Sequence, residues 1–375
     1  MVIRYRILKP LSVLCPNSRG VLYADEYFQC SITDVEKVLS IARNIQPDGV
    51  TVGICDRAVC TAAIICQELG LPGLDLITAQ KATNKHLMIR AFQEHGVAHP
   101  AFQRIYGEEL ESVKINIPYP VISKPVDMAG SRGINKIDNE LMLMECLRNS
   151  MKSSISKEII VEEYMEGPEV SVELIVKNGV PMVMQITDKY TSGEPHFMEI
   201  AHTQPSNLPE SIKIDIEKLA VSAVVALGIR DGLAHAEIIV TPTGPKMVEI
   251  GARMGGDAIQ EQLILLSTGI NVPEYSIKIA LGEDFDYPEN CSNKYSAIKF
   301  IQSKDGVIKD IRNVEKAKCI RGVKEIELIC CIGQQCFRAV DNSGRLGYVI
   351  AQGDSVDEVL SACDEACELI DIVIG

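Results

Sequence analysis

Tryptophan is absent from the 375 residues and aromatics make up only 5% of them, so an aromatic cage or a base-stacking platform has little to be built from. A positive field is missing too. Lys and Arg number 37 against 51 Asp and Glu, a net charge of −14, which argues against nucleic acid or an anionic membrane as partner. No apolar run approaches the roughly 18 residues of a membrane-spanning helix. The opening MVIRYRILKPLSVLC is too broken by Arg, Lys and Pro for a signal peptide. The expected location is therefore cytoplasmic. The 13 cysteines show no paired CxxC spacing, which favours buried, reduced thiols over zinc or disulfides. Neither GxGxxG nor GxxxxGK occurs, so the two commonest phosphate-binding fingerprints are missing. Any anionic ligand must be held by a few local cations, backbone amides or a bound metal.

What is present is enough apolar sequence, 46%, for two or three domains with real cores. Helical periodicity over Asp34–Asn44, a short apolar run Gly49–Cys55 and a second helix Ala58–Leu69 closed by Gly70 predict an α/β unit with a parallel strand. A helix from Asn84 through His95 follows. Short β-type runs at Pro120–Lys124, Glu158–Glu163, Val170–Val176 and Val180–Ile186 precede a helix, Ile214–Leu227, and a hairpin, Gly232–Gly251. Strands at Tyr295–Gln302, Glu325–Cys331 and Tyr348–Gln352 and a helix Val356–Ile370 complete the chain. These runs divide it into an N-terminal α/β domain (1–81), a middle domain (82–281) and a C-terminal α+β domain (282–375).

The most informative stretch is HAEIIVTPTGPKMVEIGARMGGD. A turn centred on Thr243 sets Glu237 opposite Glu249. Alternation then puts His235, Glu237, Glu249, Gly251 and Arg253 on one face, and Ala234, Ala236, Ile238, Val240, Val248 and Ile250 on the other. Two carboxylates about 5 Å apart across a strand pair repel unless a cation lies between them. Removing either charge should then relieve the sheet. A hard divalent ion such as Mg²⁺ suits such a pair. The plainer alternative is a solvated face on which Lys246 or Arg253 pairs with the acids. A second element is the strand ending in Lys124, followed by a loop with Gly130, Ser131 and Gly133, which offers an ammonium and backbone amides to a polyphosphate. A third is the acidic turn VEEYMEGPE, from Val161 to Glu169. His202 and His235 are candidate bases, although a lone His more often serves structure.

In this order and spacing, the three elements resemble the ATP-grasp superfamily, especially the carboxylate-amine ligases related to D-alanine–D-alanine ligase, L-amino-acid ligases and biotin carboxylase. The resemblance implies a central domain clasping ATP between two α+β subdomains, flanked by an N-terminal α/β and a C-terminal α+β domain. It implies that Lys85 and Lys124 reach ATP phosphates under the Gly130, Ser131 and Gly133 loop, with Lys189 adding a further contact. Glu162, with the backbone near Glu163 and Met165, would meet adenine, and Glu169 the ribose. Glu237 and Glu249 would ligate Mg²⁺ or Mn²⁺, and Arg253 would steady the transferring phosphoryl group. The implied activity is ADP-forming ligation of a small carboxylate, such as an amino acid, to an amine through an acyl phosphate, with a homodimer left open. Bicarbonate activation, as in a carboxylase or carbamoyl-phosphate-type enzyme, and a catalytically inactive nucleotide-binding regulatory protein are the rival readings.

Two departures from the family pattern stand out. Gly251 occupies a position where the family often has Asn, so a second Mg²⁺ would be held differently or more weakly. ADEYFQCSITD, which resembles a segment that usually follows a complete strand-helix-strand unit, is preceded here by about one strand's worth of sequence, Arg6–Leu14.

Overall fold

The structure, a computed structural model, describes residues 21, 23–194 and 197–375. The strand expected at Arg6–Leu14 lies outside these residues. Helix starts follow side-chain capping, in which a short polar side chain satisfies the free N–H groups of the first turn. The Asp34 carboxylate accepts from the Lys37 amide and opens the helix Val35–Ile45. Asp75 accepts from the Thr78 amide at Leu76–Thr83. Asn84 accepts from the His86 and Leu87 amides at Lys85–Glu94. The helix Asp56–Leu69 ends on Gly70 at φ 67°, the left-handed closure that glycine adopts without cost. The Gly49–Cys55 run is not a strand. A strand exists only through its ladder, and no strand among the described residues pairs with this segment.

A four-stranded antiparallel sheet follows, in the order Phe102–Tyr106, Glu158–Glu163, Val121–Pro125, Asn135–Ile137. The helix Glu140–Ser153, which the sequence patterning does not reveal, seats Leu143 and Leu147 on Ile105, Val121, Ile137, Ile159 and Val161.

The central element is an eight-stranded sheet, antiparallel throughout. Its order is Val323–Leu328, Arg345–Gly353, Tyr295–Gln302, Glu199–Gln204, Val180–Thr191, Glu169–Lys177, Gly232–Thr241, Gly244–Gly251. Alternation along Glu169–Lys177 sends Val170, Val172, Leu174 and Val176 into the main core beneath the helix Glu210–Leu227. Ser171 and Glu173 go to the opposite side, where they are equally buried. Burying an aliphatic side chain contributes about 1.5–3 kcal/mol, so one face of this strand stabilises the fold. The other buries a carboxylate that needs partners.

The boundary expected at 282 does not separate two sheets. Tyr295–Gln302 pairs with Glu199–Gln204 on one side and Arg345–Gly353 on the other. A smaller sheet, Gln335–Cys336, Gly306–Arg312 and Asp371–Ile374, lies at the C-terminal end. Cysteines among the described residues are all free. They are not all buried, however: Cys291, Cys319 and Cys331 are exposed. No helix among the described residues is long and apolar enough to cross a membrane.

Candidate functional site

The hairpin Gly232–Gly251 turns more tightly than the sequence suggests, with Thr241 paired to Gly244. Continued regularly, that register would set Glu237 against Val248. A bulge between Glu237 and Ile238 restores the alignment, so Glu237 lies opposite Glu249. An extra residue on one strand re-aims the side chains beside it. Val248 consequently lines the cavity with Glu249 instead of joining the apolar face, and Met247 takes its place in the core.

The cavity has a volume of about 380 Å³, within the range of small-molecule sites. It brings together Lys85, Lys124, Gly130, Ser131, Glu162, Glu163, Met165, Glu169, Lys189, Glu237, Glu249 and Arg253. Gly133 is not among its walls. At φ 75°, its Cα faces Ser153 and Pro125, and a Cβ there would meet them at 2.7 and 2.9 Å. It anchors the base of the loop whose tip, Gly130 and Ser131, faces the cavity.

The two opposed carboxylates do not repel each other unchecked. Glu249 receives Lys85 at 2.8 Å, and Lys189 lies 3.3 Å from Glu237. Lys85 also donates to the Met128 carbonyl at 2.8 Å. Lys189 is almost fully buried and further holds Glu169 at 2.5 Å and Glu199 at 3.0 Å. Burial opposes its charge, but Glu237, Glu169 and Glu199 outweigh burial and hold its pKa well above the usual lysine value. Burial would also raise the Glu237 carboxyl, yet Lys189 and His235 keep it well below the ordinary carboxylate range. Lys246 pairs with Glu163 at 2.9 Å, so it does not neutralise the hairpin acids.

Lys124 is held by the Glu162 carboxylate at 2.7 Å, with both side chains nearly buried. The Glu162 side chain is thus engaged by the lysine. The apolar end of the cavity is made by Ile122, Tyr164, Met165, Phe197 and Ile239, where Lys136 stands over the Tyr164 ring at 4.4 Å.

Both histidines have structural partners. His235 Nδ1 lies 2.7 Å from the buried Glu173, and Nε2 lies 3.3 Å from Glu237. Burial lowers its basicity, but Glu173 prevails and pushes its pKa up to about 10. Gln260 donates to the other Glu173 oxygen, so the buried carboxylate is satisfied. His202, fully buried, meets Asp257 at 3.1 Å.

Residues that the sequence did not single out complete the walls. Asp56, Glu199, Asp257 and Asn342 line the same cavity. Arg345 reaches Asp257 at 2.7 Å and Glu199 at 3.4 Å, and Asn342 donates to Glu199 at 2.8 Å. The ligand atoms of Glu199, His202 and Asp257 lie within 4.8 Å of one another, but the Arg345 guanidinium already supplies the positive charge there. Asp56 holds Arg253 by a bidentate pair, Nε to Oδ1 and Nη2 to Oδ2, both at 2.8 Å. A single Asp at the start of a helix reads as first-turn chemistry, and nothing local points to an arginine 197 residues away.

Opposed glutamates on a rigid hairpin, with lysines beside them and a glycine-bearing loop above, fit a polyphosphate held through a hard divalent cation. Residues 117–261 match the ATP-grasp domain family, and residues 299–375 match the L-amino acid ligase C-terminal domain 2. An uncharacterized protein of Sinorhizobium fredii is 26% identical over 328 residues, covering 86% of this chain and 67% of that protein. Carnosine synthase 1 of Gallus gallus is 28% identical over 243 residues, covering 59% of this chain and 26% of that enzyme. This chain therefore spans about a quarter of the synthase. Among solved structures, the L-amino acid ligase of Bacillus licheniformis superposes with a TM-score of 0.84 at 25% identity, covering 94% of this chain and 88% of that one. The chain thus carries an ATP-grasp domain over residues 117–261 and an L-amino acid ligase C-terminal domain 2 over residues 299–375.

Proposed function

We propose that the chain uses MgATP to activate a carboxylate as an acyl phosphate and transfers the acyl group to an amine, with an amino acid on at least one side. The observation that carries this reading is the convergence of Glu237 and Glu249, opposed on one hairpin, with Lys85, Lys124, Lys189 and Arg253 on a single cavity. Glu237 and Glu249 would hold the metal ion. There the ion would supply neutralisation of the phosphate charge.

The remaining work falls to the chain. Lys85 and Lys124 are held in place by their carboxylate partners and supply fixed cationic groups to the phosphates. Lys189, spoken for by three carboxylates, orders the acidic wall and is a less direct phosphate ligand than the resemblance implied. The Gly130 and Ser131 tip excludes water that would hydrolyse an acyl phosphate. Arg253 faces the phosphoryl group in flight. Aligned reactants gain effective molarities of roughly 10⁵–10⁸ M, so positioning accounts for much of the rate and no dedicated base is required.

The test is ADP release across pairs of amino acids, alongside thermal shifts with the non-hydrolysable analogue AMP-PNP and Mg²⁺. Amino-acid-dependent ADP release is expected. Stabilisation should reach about 2.7 kcal/mol at 100 times the dissociation constant. Binding of AMP-PNP without ADP release on any pair would leave a nucleotide-binding module and overturn the ligase reading.

A further inference from the structure

The departure at Gly251 has a physical counterpart elsewhere in the chain. A Cβ built at residue 251 would meet Asp56 Oδ1 at 3.1 Å and the Arg253 guanidinium carbon at 3.2 Å. The space that a side chain there would fill is thus taken by a carboxylate from the first turn of the helix Asp56–Leu69 and by the arginine it grips. Both groups lie near the metal carboxylates. Asp56 and Arg253 line the main cavity with Glu249. Asp56, Glu249 and Gly251 also line an adjoining cavity of about 390 Å³. The Asp56 and Arg253 side chains are 20% and 10% exposed, so the pair is shielded from water and its geometry is well defined. Two parallel hydrogen bonds to a carboxylate fix the plane of a guanidinium as well as its position.

We propose that Asp56 is a positioning residue for Arg253, and that Gly251 serves the pair because a longer side chain at that position would crowd the carboxylate against the guanidinium. A small residue on the hairpin and an acid on the N-terminal helix thus form one unit. This proposal rests on the reading of Arg253 as a phosphoryl contact in an amine-dependent ligase.

The experiment is a double-mutant cycle on the full chain, using Asp56→Ala, Gly251→Asn and the combination. Readouts are kcat and KM for ATP in amine-dependent ADP release, and the thermal shift given by AMP-PNP with Mg²⁺. Asp56→Ala should lower kcat at least tenfold while KM for ATP and the AMP-PNP shift change less than twofold, because Arg253 is misaimed while the nucleotide site persists. Gly251→Asn should do the same. The double variant should be no slower than the worse single variant, since a crowded carboxylate no longer exists to be displaced. If Asp56→Ala does not fold, Asp56→Asn keeps the shape and one acceptor oxygen and should show a smaller loss with the same kcat-only signature. Multiplicative losses in the double variant, or a wild-type kcat for Asp56→Ala, would overturn the proposal. Arg253→Ala separates the two levels. Normal turnover in that variant would remove the arginine from the phosphoryl site altogether, whereas a large loss there with an unaffected Asp56→Ala would remove only the role of Asp56.

Discussion

Lys124 and Glu162 form a nearly buried ion pair, with side chains 5% and 6% exposed, and truncating one member strands the other. Lys124→Met should therefore abolish most turnover and also destabilise the fold by about 3–5 kcal/mol, the usual consequence of an orphaned buried charge. Adding Glu162→Gln should restore most of the stability and none of the activity, as urea midpoints and ADP release would record. Asp257 carries a pH prediction. Burial raises its carboxyl, but His202 and Arg345 outweigh burial and hold it well below the usual aspartate range. A carboxyl depressed in the fold contributes stability that is complete above the unfolded value of about 3.9 and disappears as pH falls below it. Asp257→Asn should be less stable than the parent at pH 7, with the difference shrinking towards pH 3 in urea titrations. Asn tolerates the left-handed backbone at this position, φ 55°, so the substitution adds no strain. Single residues were legible in the sequence where type and spacing reinforced each other. Glu237, Glu249 and Arg253 stand at alternating positions on one hairpin, and Lys124 ends a strand before glycines. Asp56, Glu199 and Arg345 were not legible, because each acquires its meaning from a partner distant in the chain.

At the scale of elements, the hairpin shows how a correct pairing can arise from an unforeseen register. A turn centred on Thr243 places Glu237 opposite Glu249, and the actual tighter turn reaches the same pair only through the bulge at Val248. The energetic expectation changes with it. Sequence alone suggests that removing one of two repelling charges relieves the sheet, but Glu249 is paired with Lys85 at 2.8 Å. Glu249→Gln should instead lower metal-free stability by about 1.5–3 kcal/mol, the range for a hydrogen bond to a charged group. It should also abolish the melting-temperature response to Mg²⁺ in the presence of AMP-PNP. The loop that carries Gly130 and Gly133 offers a comparison of glycines. Gly130 at φ 69° has open space around a would-be Cβ, whereas Gly133 at φ 75° faces contacts below 3 Å. Gly130→Ala should cost about 1–2 kcal/mol from backbone strain alone, and Gly133→Ala clearly more by the same urea assay. Elements with strong periodicity, such as Glu158–Glu163 and Tyr295–Gln302, were readable to the residue. Glu199–Gln204 was not, since Glu199, His202, Thr203 and Gln204 give no apolar alternation. Its polar side chains are buried by the network with Asp257, Arg345 and Thr187.

Across the whole molecule, the eight-stranded sheet makes the C-terminal region continuous with the ATP-grasp region. Punctuation near Gly282 suggested a boundary because composition records loops and is blind to hydrogen bonds made across them. A chain truncated after residue 290 would bare the edge of residues 201–204, now paired with residues 296–299, and would remove Arg345 from Asp257. Such a chain should aggregate, since an unprotected edge is a template for further pairing, and size-exclusion chromatography would show it in the void volume. The Asp56–Arg253 clasp also bears on how the molecule is made. Its members are 197 residues apart in sequence, so at a synthesis rate of about 5–20 residues per second the aspartate waits roughly 10–40 s on the ribosome for its arginine. During that interval the nascent chain can cap its first helices, but the pair cannot close until residue 253 has been made.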